Sequence, residues 1–150
     1  MKLIIAGSRS LDLSLKDLKF ILEDFKVPMM IVTEIVSGAA KGIDSLGIEY
    51  AISEGIPYKE FHPEWENLDV PGAVIRTNSY GKKYNAKAGH DRNFQMAQYA
   101  DRAVVIMNRN SKGSLNMIDC MNKALKQVYI CEIENNGLLE TKTFHLRKKQ

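Results

Sequence analysis

The chain has 150 residues, 45% of them hydrophobic and 26% charged, with a formal net charge of +3. This length and composition predict one soluble globular domain, and the small charge does not by itself indicate nucleic acid, although it slightly favours an anionic ligand. No apolar run is long enough for a membrane span or a signal peptide, so we expect a cytoplasmic protein without a membrane partner. Cys120 and Cys131 have no metal-ligand neighbours, and we expect reduced thiols and no metal.

Apolar runs and helical periods alternate along the chain from the N-terminus onward. Ser14 is predicted to cap the first helix, which has an apolar face over 15–25 and ends before Pro28. Gly55 is predicted to end the second helix. The predicted strands cover 2–6, 29–36, 58–61, 102–107 and 127–133, and the later helices cover 41–54, 92–100 and 114–126. Inward positions on the last two helices are predicted to include Phe94, Leu115 and Leu125.

Two regions do not follow this alternation. Residues 62–86 contain several Pro, Gly and Asn and are predicted to form a long irregular loop, which in a compact domain is usually functional or disordered. Asn135-Asn136-Gly137 is a hairpin signal, so 139–146 are expected to return as an antiparallel edge strand, with 147–150 as a frayed tail. We find no internal repeat, and 1–150 is expected to be a single domain.

Strands that alternate with helices predict an α/β, Rossmann-like fold, with a mostly parallel sheet and helices on both faces. In such folds ligands bind beyond the carboxyl ends of the strands, where the strand order reverses. Polar turns follow the first, second and fourth strands, at 7–9, 37–44 and 108–114. We therefore expect these three turns to converge on one cleft.

The turn over 37–44 joins a strand to a helix through small residues. Gly38 and Gly42 allow close backbone approach, and the first helical N–H groups with Lys41 would attract a phosphate or carboxylate. One such turn fits equally well a tight strand-to-helix connection without a ligand. Because three turns converge, the residues predicted to bind a ligand are Gly7, Ser8, Arg9, Ser37, Gly38, Ala39, Lys41, Gly42, Asn93, Lys112, Gly113 and Ser114.

Several candidates have a structural alternative. Arg9 would clamp a phosphate or pair with a surface carboxylate such as Asp12. Trp65, the sole tryptophan, would stack on a base or pack the long loop onto the body. Asp44 would bind a ribose or complement the helix dipole, and Ser114 would donate to a phosphate and also cap its helix.

The same segments resemble signature blocks of the SMF/DprA–LOG (SLOG) superfamily. The two main blocks are Ile-Ala-Gly-Ser-Arg over 5–9 and Val-Ser-Gly-Ala-Ala-Lys-Gly-Ile-Asp over 36–44. Four further segments of this chain are similar to later blocks of the YspA-like branch of that superfamily: 61–65, 89–93, 100–101 and 111–114. The resemblance covers roughly 2–125 and implies a Rossmann-like domain that binds a nucleotide or nucleotide-derived small molecule. It implies no cofactor. It also implies a possible homodimer, formed through helices beside the site.

The resemblance also raises the question of catalysis. LOG enzymes of this superfamily cleave the N-glycosidic bond of nucleoside monophosphates with an Arg, which Arg92 matches, and a Glu, which is not matched here. The nearest carboxylate after Gly113-Ser114 is Asp119. We therefore favour a sensor or sequestering module; one alternative is a phosphoribohydrolase that uses Arg92 with Asp44 or Asp119. The other is a single-stranded nucleic-acid binder of DprA type, which the modest charge disfavours.

Overall fold

The computed structural model describes residues 1–135 and 142–149, with side chains described over 1–134. The strands of the main sheet are β1 Lys2–Gly7, β2 Glu34–Ser37, β3 Tyr58–Glu60, β6 Arg102–Asn108, β7 Gln127–Asn135 and β8 Lys142–Lys149, and a separate hairpin contains β4 Ile75–Thr77 and β5 Lys83–Asn85. The α-helices are α1 Leu15–Asp24, α2 Ile43–Glu54, α3 Ala88–Tyr99 and α4 Lys112–Lys123. None of the helices in this part of the chain has the length and apolar content to cross a membrane.

The main sheet has the strand order β3-β2-β1-β6-β7-β8. Its first five strands are parallel, and β8 runs antiparallel to β7 at the edge. Since β1 pairs with β2 on one side and with β6 on the other, the strand order reverses at β1. The predicted Rossmann-like α/β fold is confirmed, and the reversal places a crevice beyond the carboxyl ends of β1 and β6.

The central strand β1 contributes side chains to both faces of the sheet. Leu3 and Ile5 belong to one core, whereas Ile4 belongs to the other, as alternation along a strand requires. The first core includes side chains of α1 and α2, such as Leu18, Ile21 and Leu46. The second includes side chains of α3 and α4, such as Met96, Ala97, Met117 and Met121. Both faces of the sheet are therefore covered by helices.

Helix ends are stabilised by specific polar contacts. Ser14 caps α1 as predicted: its hydroxyl accepts from the Asp17 N–H at 3.1 Å, and the Asp17 carboxylate accepts from the Ser14 N–H at 3.1 Å. At the end of α3, the Lys126 ammonium donates to the carbonyls of Ala97 and Ala100 at 2.8 and 2.7 Å. A cation at this position complements the helix dipole and satisfies terminal carbonyl groups.

The second strand begins later than the sequence predicts. Residues 29–36 were expected to be extended, but Met29–Ile31 forms a 3-10 turn and β2 starts at Glu34. The backbone N–H groups of Ile31 and Val32 donate three residues back, to Pro28 and Met29. The register with β1 begins at Lys2↔Glu34. Just before it, the Thr33 N–H donates to the Met1 carbonyl at 2.8 Å and the Met1 ammonium donates to the Ile31 carbonyl at 2.8 Å, so these residues are held by the chain terminus rather than by a strand ladder.

The segment 62–86 is less irregular than predicted, because it contains the β4–β5 hairpin. Asn78 stabilises the turn: its side-chain oxygen accepts from the N–H groups of Tyr80 and Lys82 at 2.9 and 3.0 Å. Its own N–H donates to the Lys82 carbonyl at 2.9 Å. An Asx-type turn of this kind compensates for short strands that carry no alternating apolar pattern.

Helix bounds and phases also differ from the prediction. The structure begins α2 at Ile43, α3 at Ala88 and α4 at Lys112, and ends α4 at Lys123. Phe94, Leu115 and Leu125 were predicted to face inward, yet they are exposed. In α3 the buried face instead contains Arg92 and Asn93, and each successive helical residue turns by about 100°, so Phe94 points away from the core.

The C-terminal strand is longer than expected. β8 confirms the antiparallel edge strand, but it extends to Lys149, so a frayed tail over 147–149 is wrong. Pairing of residues 147–149 with Val128–Ile130 satisfies backbone groups that a free tail would leave to water. The predicted turn residues Asn136 and Gly137, and Gln150, lie outside the described residues.

We expect Gly7→Ala to destabilise the fold by about 3 kcal/mol, because overpacking against backbone has no cheap relief. A Cβ at Gly7 would lie 1.8 Å from the Ile106 carbonyl oxygen. Gly113→Ala is the matched control, since a Cβ there meets no atom within 4 Å, and its stability should equal or slightly exceed that of the wild type. Urea unfolding measures both, and a Gly7→Ala protein as stable as the control would refute the packing argument.

Candidate functional site

A cleft of about 560 Å³ opens beyond the carboxyl ends of β1, β2 and β6. The three predicted turns meet there, together with the first turns of α3 and α4. Of the residues proposed from sequence, those that line this cleft are Gly7, Ser8, Arg9, Gly38, Asp44, Arg92, Asn93, Gly113 and Ser114. The convergence expected from the topology is therefore present in the structure.

The turns after β1 and β6 are bonded to each other through Ser8. The Ser8 hydroxyl is buried and accepts from the Asn108 backbone N–H at 2.9 Å. The Ser8 N–H donates to the Ile106 carbonyl at 3.0 Å, and the Asn108 amide donates to the Ser10 hydroxyl at 2.6 Å. These bonds hold the floor of the cleft, while a serine hydroxyl that accepts one bond keeps its own proton to donate.

The turn between β2 and α2 is organised by Ser37 and Asp44. The Ser37 hydroxyl donates to the Asp44 carbonyl at 2.9 Å and accepts from the Ala39 N–H at 3.1 Å. The Asp44 carboxylate accepts from the Ala40 N–H at 3.2 Å. Ser37 is fully buried, so it shapes this turn from behind and does not line the cleft.

Arg92 extends from α3 to the β2 turn. Its guanidinium donates to the carbonyls of Gly38 and Phe61 at 2.6 and 3.3 Å, and to the Asn93 side-chain oxygen at 3.0 Å. A Cβ at Gly38 would lie 2.7 Å from both the Arg92 Nη1 atom and the Asp44 Oδ2 atom. Glycine is therefore required at position 38 because a cation and a carboxyl group approach the backbone at this point.

Burial perturbs both of these ionisable groups. Burial raises the pKa of Asp44, against the opposing influence of Arg92, the Ala40 and Gly7 backbone N–H groups and Arg9. Burial also lowers the pKa of Arg92, which Asp44 counteracts and Arg9 reinforces. The cleft therefore contains a carboxyl group that holds its proton more tightly than a free Asp, beside a guanidinium that stays charged at neutral pH.

Asn93 connects α3 with the start of α4. Its amide donates to the Gly113 carbonyl at 3.2 Å and to the Asn116 side-chain oxygen at 2.9 Å. Ser114 was expected to cap α4, but the capping position is Ser111, and the Ser111 hydroxyl donates to the Ser114 hydroxyl at 2.8 Å. Asn93 therefore positions the helix end without offering a free amide to a ligand.

Other predicted residues lie at different places. Ala39 and Lys41 line a neighbouring recess, while Gly42 packs behind the cleft, where a Cβ would lie 2.4 Å from the Ser8 carbonyl oxygen. Lys112 is exposed and lines neither space. Asp119 pairs with Lys123 at 2.9 Å on the outer face of α4, so Asp44 is the carboxylate available to the cleft.

Sequence reasoning left some lining residues outside the proposed site. Asn108 ends β6, and Arg109 and Ser111 follow it. All three belong to the 108–114 turn that was expected at the cleft, but they were not among the residues predicted to bind a ligand. Trp65 and His90 also line the cleft. Within the part of the chain that the structure describes, no three His, Cys, Asp or Glu side chains are grouped to hold a metal ion.

Trp65 attaches the long loop to the body of the protein. Its ring meets that of Tyr84 edge-on at 6.5 Å, and a Cβ at Gly89 would lie 3.2 Å from the Trp65 Cη2 atom. Trp65 nonetheless stays 37% exposed and lines the cleft. The packing role considered for Trp65 and a place in the lining of the cleft therefore coexist.

Comparisons with known proteins identify the fold. No protein-family model and no curated protein matches the chain. Among solved structures, the X-ray structure of DNA processing protein A (DprA) from Streptococcus pneumoniae is similar, with a TM-score of 0.61 and 20% identity over 92% of this chain. The match covers 52% of that protein, so the chain spans about half its length. At this identity the likeness shows the Rossmann-like fold.

Asp44 should make stability depend on pH. Its pKa is raised above the ordinary 3.8, so the folded protein holds this proton more tightly than the unfolded chain does. The stability contributed by that proton is complete below the unfolded pKa and is lost as pH rises through the folded pKa. The stability of Asp44→Asn relative to the wild type should therefore increase as pH rises above the ordinary pKa of 3.8.

Urea unfolding at a series of pH values measures this difference. The asparagine oxygen can still accept from the Ala40 N–H, and any change at the Gly7 N–H is the same at every pH, so it does not alter the trend. Asp119→Asn, on the outer face of α4, is the control and should show no comparable gain. A constant difference between Asp44→Asn and wild type across the range would contradict the raised pKa.

Proposed function

We propose that the cleft binds a nucleotide or a nucleotide-derived small molecule, and that the protein acts as a sensor or a sequestering module of the SLOG superfamily, within its YspA-like branch. The observation that carries the proposal is the convergence of three backbone turns and several cations on one space of about 560 Å³. That volume is within the range of about 300–1,000 Å³ typical of small-molecule sites.

The cleft has features suited to a phosphate. Gly113 and Ser114 present the N-terminal turn of α4, where backbone N–H groups and the helix dipole favour an anion. Arg9 and Arg109 are exposed side chains at the same cleft. Guanidinium groups bind phosphate oxygens through paired hydrogen bonds, so these two arginines are the proposed phosphate contacts.

Other parts of the lining suit the nucleoside. Trp65, which is 37% exposed, supplies aromatic surface for a base. Asp44 supplies a carboxyl oxygen that can accept a hydrogen bond from a ribose hydroxyl. Apolar walls with a few well-placed polar groups are the usual composition of a small-ligand site.

We expect folded protein to bind at least one member of a panel of nucleoside mono- and diphosphates, ADP-ribose and cyclic nucleotides. Trp65 is the only tryptophan, so its fluorescence reports binding directly, and calorimetry gives the Kd. Arg109→Ala should weaken binding about tenfold, or about 1.4 kcal/mol, through loss of a charged hydrogen bond. Arg76→Ala, an exposed arginine on β4, is the control and should leave the Kd unchanged.

Two results would count against this proposal. Folded protein that binds no member of the panel would remove it. Binding to a single-stranded oligonucleotide that is tighter than to any mononucleotide, and that falls steeply with salt, would favour a nucleic-acid partner instead.

A second function is favoured by the placement of Asp44. A carboxyl group with a raised pKa, buried beside the cleft near Arg92, suits a general acid. In N-glycosidic hydrolysis it would give its proton to the departing base as the glycosidic bond breaks. Water would then add to the sugar carbon and return a proton to the carboxylate, releasing ribose 5-phosphate and the free base.

Base release measured by chromatography tests this second function. If the protein is such a hydrolase, Asp44→Asn should reduce turnover at least a hundredfold while the nucleotide Kd changes less than threefold, in keeping with the rate contribution of general acids. Asp119→Asn should retain full activity, because Asp119 lies on the outer face of α4. Wild-type protein that binds a nucleoside monophosphate without releasing base would exclude hydrolysis and leave the binding function intact.

A further inference from the structure

The β4–β5 hairpin lies apart from the main sheet, and one of its edges is open. β4 pairs with β5 and with no other strand among the described residues. The outer edge of β5 is used, because the Asn85 N–H donates to the Trp65 carbonyl at 2.7 Å. All of β4 Ile75–Thr77 is exposed, and Ile75 is 45% exposed. An open strand edge presents a row of backbone donors and acceptors, so a further strand can pair with it.

The hydrogen bonds of the hairpin show which backbone groups lie at this open edge. The Ala86 N–H donates to the Val74 carbonyl at 2.7 Å, so these two residues form a bonded pair. Bonded and non-bonded pairs alternate along antiparallel strands. Ile75 and Thr77 are therefore non-bonded positions, and their N–H and C=O groups point away from β5.

The side chains around this edge are positively charged. Residues 70–90 contain four Lys or Arg side chains and no Asp or Glu. Lys82 and Lys87 have carboxylate partners, whereas Arg76 and Lys83 have none within the part of the chain that the structure describes. Arg76 is exposed on β4 itself, so its charge is available to a strand that pairs there.

We propose that β4 binds an extended acidic segment of a partner protein, which adds to the hairpin as a third strand. Side chains of paired strands lie opposite each other on the same face of the sheet. Successive residues of β4 point to alternate faces, so Arg76 projects from one face and Ile75 and Thr77 from the other. The partner residue opposite Arg76 is therefore acidic, and its two neighbours, opposite Ile75 and Thr77, are apolar or β-branched.

Two other occupants fit this edge less well. A second copy of the chain, paired antiparallel through β4, would place two Arg76 side chains opposite each other, and like charges so placed destabilise the pair. A nucleic acid would neutralise Arg76, but its phosphate groups supply no donors for the outward carbonyls of Ile75 and Thr77. A peptide strand supplies both donors and acceptors at the spacing of the edge.

Calorimetry with two capped octapeptides tests the proposal, one of alternating Val and Glu and the other of alternating Val and Lys. Wild-type protein should bind the acidic peptide about tenfold more tightly than the basic one, because the charge opposite Arg76 sets the preference. Arg76→Glu should reverse that preference, a result that an unfolded variant cannot give. Lys16→Glu makes the same charge change on α1 and should leave the preference as it is in the wild type.

Thr77→Pro tests strand pairing separately from charge. Proline removes the outward N–H, and an edge strand tolerates it because the bonds to the neighbouring strand are kept. The variant should bind the acidic peptide about fivefold more weakly, through loss of one backbone hydrogen bond, and its urea unfolding midpoint should match that of the wild type. An affinity equal to that of the wild type would show that the peptide does not pair with β4.

Three further results would overturn the proposal. Wild-type protein that binds neither octapeptide, or both alike, has no site for an acidic strand. A wild-type dimer in analytical ultracentrifugation that Thr77→Pro dissociates would assign the edge to a second copy of the chain. A poly-dT oligonucleotide that binds more tightly than the acidic peptide, and that Arg76→Glu releases, would assign it to nucleic acid. These outcomes are independent of nucleotide binding, since β4 does not line the cleft.

Discussion

The hydrogen bond from the Arg92 guanidinium to the Gly38 carbonyl is the interaction on which the site depends. It joins α3 to the β2 turn, and the neighbouring bond from Asn93 to the Gly113 carbonyl joins α3 to α4. A buried guanidinium is costly unless its donors are satisfied, and here the carbonyls of Gly38 and Phe61 and the Asn93 oxygen accept from it. The geometry of the cleft is thus set by groups that cannot move independently.

Glycines in the signature blocks have different physical roles. Gly7 and Gly42 are required by packing, since a Cβ would meet the carbonyl of Ile106 in one case and of Ser8 in the other. Gly38 is required by the approach of Arg92 and Asp44. Gly113 is the exception, because its missing side chain faces open space at the cleft. The structural interpretation of a glycine-rich turn therefore holds for the first two, whereas packing does not account for Gly113.

The sequence was most informative where local pattern and topology agree. The strands predicted from apolar runs, 2–6 and 102–107, differ from β1 and β6 by one residue at their ends. The parallel topology correctly predicted that the three turns meet. Helix phase was predictable only where apolar side chains face the core. In α3 the buried face includes Arg92 and Asn93, which are polar, so a hydrophobic pattern assigned Phe94 to the wrong side. Besides its neighbour Asn93, the partners of Arg92 are the backbone carbonyls of Gly38 and Phe61, which lie far along the chain and which no residue pattern encodes.

Buried and exposed charges at the site have separate tasks. Asp44 and Arg92 are buried and bonded to backbone groups of the turns, so their charges organise the protein before any ligand arrives. Arg9, Lys41 and Arg109 are exposed and line the cleft or its neighbouring recess. Ordering a long side chain costs entropy, which an anion would offset at these three positions but not at the buried pair. We therefore expect the exposed cations to determine affinity and ligand choice. The buried pair, Asp44 and Arg92, maintains the shape of the cleft that these cations line.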